Sequence, residues 1–492
     1  MRASTKTRLA MLLGALLISV AFFAVTYLGW VTKEQRIQLL MQWSLIVGVA
    51  LLWTLRVRMP GIDFVLAAIL LAGIIMRLGY AAYTPTTLRF HDLAPIDVRA
   101  TGHAGYVLNL YQNGTLPTSN QFQFATPPLY YLLSALCMKV YALISGISNP
   151  VELFEAARLP SLLASCGALL CAYRIGKELQ LHRFGMIMLL GICAFLPNHY
   201  LLAGRANPDG LAVFFIFWIV LYALRWQKAQ TFANTVMLAL GFGLGMMSKL
   251  TVAVLALPVG VMMLCIAWQR CVRDRAWRWL VSIALFALIA LPLGLWFPIR
   301  NALLYGQPLG YVYDMGAAHP QYIGDLALWH RFGIPDLHAL LSPLYIDLSG
   351  SANMALYTLK SAVFGEFSYD IDPLIPYILM LSNAALVLLS LPATVVVAHR
   401  GVTRREARPL LLVGMWLSVL GAYVLFNIRY PFYCSMDFRY MVGTSLLGAL
   451  MLGWADAMLP SSLPVRTLYR GLTIGALIAF GASSVVMFTH IV

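Results

Sequence analysis

The sequence predicts an all-α polytopic membrane protein of about thirteen transmembrane helices, and three observations lead there. First, 61% of the 492 residues are apolar and only 11% are charged. A soluble domain gives about 25% of its residues to charge, so this chain lacks the polar surface to cover itself in water. Second, apolar segments long enough to cross a ~30 Å hydrocarbon core recur along the whole chain and leave no room for a separate soluble domain. Third, the Lys and Arg residues behind the net charge of +15 sit in small clusters between those segments. They do not form a basic helix with interleaved aromatics, which argues against a nucleic-acid partner and makes the lipid bilayer the natural environment.

The expected spans are roughly 9 to 30, 38 to 55, 62 to 83, 158 to 176, 184 to 203, 210 to 226, 232 to 248, 251 to 268, 279 to 298, 373 to 397, 409 to 427, 441 to 458 and 471 to 491. The first, preceded by Arg2, Lys6 and Arg8, mimics a signal peptide but is too long for an h-region, so it reads as a retained transmembrane helix. A further apolar stretch opens at Pro127-Pro128-Leu129-Tyr130-Tyr131 and runs to about Ile144. At ~1.5 Å per residue it is marginally short of the hydrocarbon thickness. Charge decides its placement. If it does not span, the loops on the N-terminal side hold twenty of the thirty-four basic residues against five acids, and the opposite side holds thirteen basic and fourteen acidic residues, with Arg77 inside a helix. If it did span, the densest basic loops would face outward, against the positive-inside rule. It therefore reads as a juxtamembrane helix with Thr126 as its N-cap and Pro127 at the first helical position.

The resulting organisation is an N-terminal transmembrane hairpin (1–61), a transmembrane core (62–458) with external loops at about 84–157 and 299–372, and a C-terminal transmembrane helix (459–492). The N-terminus lies inside and the C-terminus outside. The seven cysteines form no Cys-x-x-Cys pair, and a disulfide framework is not expected. No internal repeat or inverted pattern of broken helices stands out, which weakens a transport reading.

Residues suited to chemistry gather on the outer side. The first external loop reads Arg89-Phe90-His91-Asp92, then Asp97, then Gly102-His103-Ala104-Gly105-Tyr106, then Leu116-Pro117 and Pro127-Pro128-Leu129-Tyr130-Tyr131. Tyr106, Val107, Leu110 and Tyr111 recur at helical spacing, which predicts an interfacial helix holding a carboxylate at the membrane surface. Further along come Arg205-Ala206-Asn207-Pro208-Asp209-Gly210-Leu211 and a Gly-rich helix, Gly241 to Gly245, that ends in Ser248-Lys249. Arg300-Asn301 is followed by Tyr305-Gly306-Gln307-Pro308-Leu309, and Asp437-Phe438-Arg439-Tyr440 comes late in the chain.

These motifs, in this order and on one predicted side, resemble those of GT-C superfamily glycosyltransferases of the protein O-mannosyltransferase and aminoarabinose transferase type, similar to glycosyltransferase family 39. The resemblance covers about 84 to 445, and the first two helices look like an added hairpin. One departure concerns the acid. Many relatives carry adjacent Asp-Glu, or an Asp four residues before the His, whereas Asp97 precedes His103 by six residues and Asp92 by eleven.

The resemblance implies a GT-C fold and a polyprenyl-phosphate-linked sugar donor whose sugar moves, with inversion, to an acceptor outside the cytoplasm. That acceptor is an envelope glycan, a glycolipid or a protein, and the setting is the inner membrane with a periplasmic active site. A carboxylate in hydrogen-bond reach takes the acceptor's hydroxyl proton. Asp97 is the expected base, with Asp92 as the alternative and His103 beside it. The leaving group is an anionic phosphate, which fixed cations stabilise best in a low-dielectric site. Lys249, Arg300 and Arg439 are the expected phosphate-binding residues, supported by Tyr106, Arg205, Asp209, Asn301 and Asp437. No metal site is predicted, since no ligand spacing is diagnostic, although the outer acids are compatible with a divalent ion. His319, Glu366, Asp370 and Asp372 of the second loop read as solvated loop residues. The competing readings are a transporter or flippase of a lipid-linked precursor, for which Arg77 is the one conspicuous intramembrane charge, and a noncatalytic assembly subunit.

Overall fold

A computed structural model describes residues 33–58, 63–86, 88–89, 101–274, 278–347, 352–460 and 464–492. The expected span at 9 to 30 lies outside the described residues, as do Asp92 and Asp97. Within them the chain is helical; its only extended pairing is a single bridge between Tyr322 and Phe432.

Eight of the described helices are long and apolar enough to cross a membrane, or nine if the bent pair Arg183–Phe195 and Pro197–Ala203 counts as one span. This is a multi-pass membrane protein. The number thirteen is not confirmed. The predicted spans at 232 to 248 and 441 to 458 form helices of only 17 and 16 residues (Phe232–Ser248 and Gly443–Met458). The Asp209–Lys228 helix sits at the centre, with 78% of its span buried by protein, whereas Leu280–Tyr305 is 17% buried and faces outward.

Helix ends follow local chemistry. Asp63 caps the Phe64–Tyr83 helix by accepting from the N–H groups of Val65 and Leu66, at 3.0 and 3.3 Å. Arg183 closes on the same carboxylate at 2.8 Å. Burial pulls the Asp63 carboxyl up, but the Arg183 hydrogen bond and the helix N–H groups outweigh it and hold it below the usual carboxylate range. Where the Arg183–Phe195 helix meets Gly443–Met458 the backbones touch. A Cβ built on Gly453 would stand 2.7 Å from Cα of Gly185, so only glycine permits this approach.

The predicted straight span 184 to 203 is instead broken by 48° at Leu196-Pro197. Proline lacks the N–H that would continue the helix, and its ring displaces the preceding carbonyls. Arg77 satisfies those carbonyls. Its guanidinium donates to the oxygens of Cys193 (2.8 Å), Ala194 (3.3 Å) and Gly73 (2.8 Å), and to Ser165 Oγ (2.9 Å). The intramembrane arginine thus serves as the cap of a broken helix.

The first external loop carries its own small core. Helix His103–Asn113 packs on Leu129–Ser145 through Tyr106, Val107, Leu110, Tyr130 and Tyr131. The second of these helices starts two residues later than predicted. Thr126 closes the preceding turn Phe122–Ala125, and Pro128 takes the N-cap position. Its inner face is buried, while Leu136, Val140, Leu143 and Ile144 on its other side are exposed, Leu143 to 86%. An apolar face turned outward on a helix too short to span suits a position in the membrane interface.

Candidate active site

Asp209 opens its helix and Lys249 ends the next one, Phe232–Ser248, so a helical hairpin brings both to the same end of the bundle. There Lys249 Nζ donates to Asp209 Oδ1. The carboxylate is buried and the ammonium mostly so, with side-chain exposures of 4% and 19%. The ammonium also lies 4.6 Å from the centre of the Tyr440 ring, a favourable cation–π distance.

Tyr440 has a second cation on it, the Arg439 guanidinium, at 5.1 Å from its ring centre. Asp437 holds Arg439 locally: its Oδ1 accepts the Arg439 backbone N–H at 3.0 Å and its Oδ2 faces Nε at 3.4 Å. Both side chains are buried. Lys249 and Arg439 share the Tyr440 ring, and Tyr106 and Tyr131 of the first external loop share a core with Ala206 and Leu211, so the late Asp-x-Arg-Tyr motif and that loop lie beside the Asp209–Lys249 pair.

His103 begins the external helix and its Nδ1 pairs with the Tyr131 hydroxyl at 2.7 Å. Tyr131 in turn stacks on Tyr106, ring centres 4.0 Å apart. Burial raises the phenols of both tyrosines well above the ordinary range, with the nearby Arg300 charge opposing it at Tyr106, so both stay neutral. The Tyr106 hydroxyl is buried and has no hydrogen-bond partner among the described residues.

Arg300 stands near the outer end of the Arg278–Tyr305 helix, one residue before the buried Asn301, whose Oδ1 accepts from Arg300 Nη1 at 2.9 Å. Its Nη2 donates to the Pro117 carbonyl at 3.3 Å, and the Tyr305 hydroxyl donates to the Thr118 carbonyl at 2.8 Å. The Leu-Pro motif of the first loop is therefore the surface on which the second loop's opening is fastened. Arg300 has no carboxylate partner among the described residues.

Arg205 is the most unusual group. It is 4% exposed, and Nε, Nη1 and Nη2 all lack hydrogen-bond partners among the described residues. Its guanidinium lies over the face of Phe367 at 5.5 Å. A buried guanidinium with five unanswered donors is costly unless an anion or hydrogen-bond acceptor completes it.

The structure thus gathers His103, Tyr106, Asp209, Lys249, Arg300, Asn301, Asp437 and Arg439 at one end of the bundle, with Arg205 four residues before Asp209. Three aromatic residues were not singled out from sequence although two lie in quoted motifs: Tyr131, which holds His103, Tyr440, which carries two cations, and Phe367, which faces Arg205. In the second loop, Glu366 accepts from the Tyr357 hydroxyl at 2.7 Å, and Asp372, one residue before the N-cap Pro373, accepts the Leu374 N–H at 2.9 Å. No group of three His, Cys, Asp or Glu side chains suited to a metal forms among the described residues.

Residues 126–296 match the family model of dolichyl-phosphate-mannose-protein mannosyltransferases. The matched segment includes Asp209 and Lys249 and stops four residues short of Arg300. The resemblance read from the motifs is borne out over that segment. Among solved structures the chain is similar to the crystal structure of the Archaeoglobus fulgidus oligosaccharyltransferase in its apo form, at 12% sequence identity and a TM-score of 0.46. The alignment covers 86% of this chain and 56% of that one, so this chain spans just over half of that enzyme's length. No curated protein matches the sequence.

Proposed function

We propose that this protein is a membrane glycosyltransferase that moves a sugar from a polyprenyl-phosphate donor to an acceptor hydroxyl on the extracytoplasmic face. The observation that carries the reading is an imbalance of charge. Lys249 and Arg439 have carboxylate partners, whereas Arg205 and Arg300, at the same end of the bundle, have none among the described residues. Fixed cations left over in a partly dry site suit an anionic ligand, and a lipid phosphate is the anion that reaches the end of a transmembrane bundle from the bilayer.

In this reading Arg300, Lys249 and Arg439 hold the donor phosphate, and Arg205 adds a planar donor set to the same headgroup. Asp97, or Asp92 in its place, takes the acceptor's hydroxyl proton. The acceptor oxygen attacks the anomeric carbon from the face opposite the phosphate, the bond to phosphate breaks, and configuration inverts. The polyprenyl phosphate leaves with the bonding pair, its charge met by the arginines. Neutral Tyr106 and the His103–Tyr131 pair line the approach. The acceptor is a protein, a glycolipid or an envelope glycan, and the positive-inside distribution supports a periplasmic site in an inner membrane. A transport reading has less to stand on, because Arg77 is used up by the carbonyls of a broken helix.

The test is transfer by the Asp97→Asn and Asp92→Asn variants in vesicles supplied with polyprenyl-phosphate sugar. Loss of about 10²- to 10⁴-fold in one variant, with normal membrane insertion, is expected of a general base. Full activity in both would remove the carboxylate mechanism.

A further inference from the structure

A second polar cavity lies away from the Asp209–Lys249 pair. It encloses about 380 Å³ and is lined by Asp314, Tyr322, Arg331, Arg429 and Phe432. That volume falls toward the lower end of the ~300–1,000 Å³ range of small-molecule sites. Arg331 is 5% exposed; its Nη2 donates to the Asn427 carbonyl, while its buried Nε has no hydrogen-bond partner among the described residues. Arg429, at the end of the Ala407–Arg429 helix, is exposed and enters no ion pair among the described residues. Asp314 uses Oδ1 to accept the Gly316 N–H at 2.9 Å. Tyr322 and Phe432 meet edge to face at 5.6 Å and give the cavity an aromatic wall.

The cavity is tied mechanically to the candidate active site. Tyr322 and Phe432 form the chain's isolated bridge, fastened by Ile323 N–H to Pro431 O (2.9 Å) and Tyr433 N–H to Gln321 O (3.0 Å). From Phe432 the turn Tyr433–Met436 leads straight into Asp437 and Arg439. On the other side Phe426 packs on both Tyr430 and Tyr440, ring centres 5.4 and 5.0 Å apart.

We infer that this cavity is a saccharide subsite for an acidic sugar unit of the acceptor, one bearing a carboxylate or a phosphate ester. Two guanidinium groups face one carboxylate, so the cavity is net cationic and favours an anionic ligand. Asp314 accepts a sugar hydroxyl, and the aromatic wall takes the apolar face of the ring. The assignment as acceptor site rests on the transferase reading, but binding to the cavity does not need transfer to occur.

The experiment is saturation-transfer NMR on the full chain in nanodiscs, with glucuronate, glucose 6-phosphate, glucose and inorganic phosphate as probes. The acidic sugars are expected to bind at least 10-fold more tightly than glucose, and whichever of the two binds more tightly names the acidic group. Arg429→Gln should weaken the acidic sugars 5- to 10-fold, and Asp314→Asn, which removes a like charge while keeping an oxygen acceptor, should tighten them two- to three-fold, with unchanged thermal unfolding in both variants. Equal binding of glucose and glucuronate would overturn the proposal. So would indifference to both variants, or inorganic phosphate binding as tightly as glucose 6-phosphate. Because no donor is present, failure here leaves the transferase reading intact, and an inactive Asp97 variant leaves this binding intact.

Discussion

The two ends of the helical bundle treat charge differently. At the end opposite the candidate site, three carboxylates collect arginine or lysine. Asp456 receives Arg466 at 3.2 Å and Arg470 at 2.6 Å, Glu178 receives Arg225 at 3.5 Å and Lys228 at 3.2 Å, and Asp63 receives Arg183 at 2.8 Å. The cations there are exposed to between 20% and 63%, so they neutralise acids at a wet boundary and tie helix ends together. At the candidate site the ions are drier, and two arginines remain after the visible carboxylates are used. At the first end the pairs are exposed and sit among an excess of basic residues that water can solvate, whereas at the second a buried guanidinium, Arg205, is left for a ligand to complete.

Four perturbations break or sharpen this contrast. The largest effect is expected from Lys249→Met, which strands a buried Asp209 carboxylate and should cost about 3–5 kcal/mol of stability. Thermal unfolding in detergent measures it, and adding Asp209→Asn should restore most of the stability without restoring transfer. Next, Arg300→Gln should lower kcat/KM for the lipid-linked donor about 100-fold, roughly 2.7 kcal/mol of transition-state stabilisation, while unfolding barely moves. Steady-state transfer kinetics separate this from a folding defect.

Gly453→Ala comes third. Its methyl group would press on the Gly185 backbone, and overpacking of that kind costs about 1–3 kcal/mol, seen as a lower unfolding temperature with the donor affinity unchanged. The smallest effect belongs to Asp63→Asn, below about 1 kcal/mol, because its partner Arg183 is well exposed. Its pH signature has a definite sign. The folded Asp63 carboxyl is depressed, so its contribution is present above the unfolded carboxylate value of about 3.9 and is lost as pH falls through the lower folded value. A pH titration of unfolding for wild type against Asp63→Asn should converge only at that acid end.

Much of this contrast was legible in the sequence, for reasons that can be named. Apolar length and basic loops mark the ends of helices, and they put Asp209, Lys249, Arg300 and Arg439 on one side because each sits at the boundary of an apolar run. Helical periodicity gave the interfacial helix around Tyr106. What stayed hidden depends on tertiary partners. Lys249 and Asp209 are forty residues apart, and nothing local says that they pair while Arg300 does not find an acid. Arg77 stands out in sequence as an intramembrane charge, yet its meaning depends on a break at Leu196-Pro197 more than a hundred residues away. Thr126 has the right chemistry for an N-cap, but two successive prolines delay the helix so that Pro128 stands there instead.

The central claim is that the arginines without carboxylates at the outer end hold a lipid phosphate. Native mass spectrometry of the protein in nanodiscs, titrated with a polyprenyl phosphate, tests it most directly. The expected result is saturable binding by wild type, weakened at least 10-fold, about 1.4 kcal/mol, by Arg300→Gln and by Arg205→Gln, and unchanged by Arg466→Gln at the opposite end. Equal binding by wild type and all three variants would contradict the account.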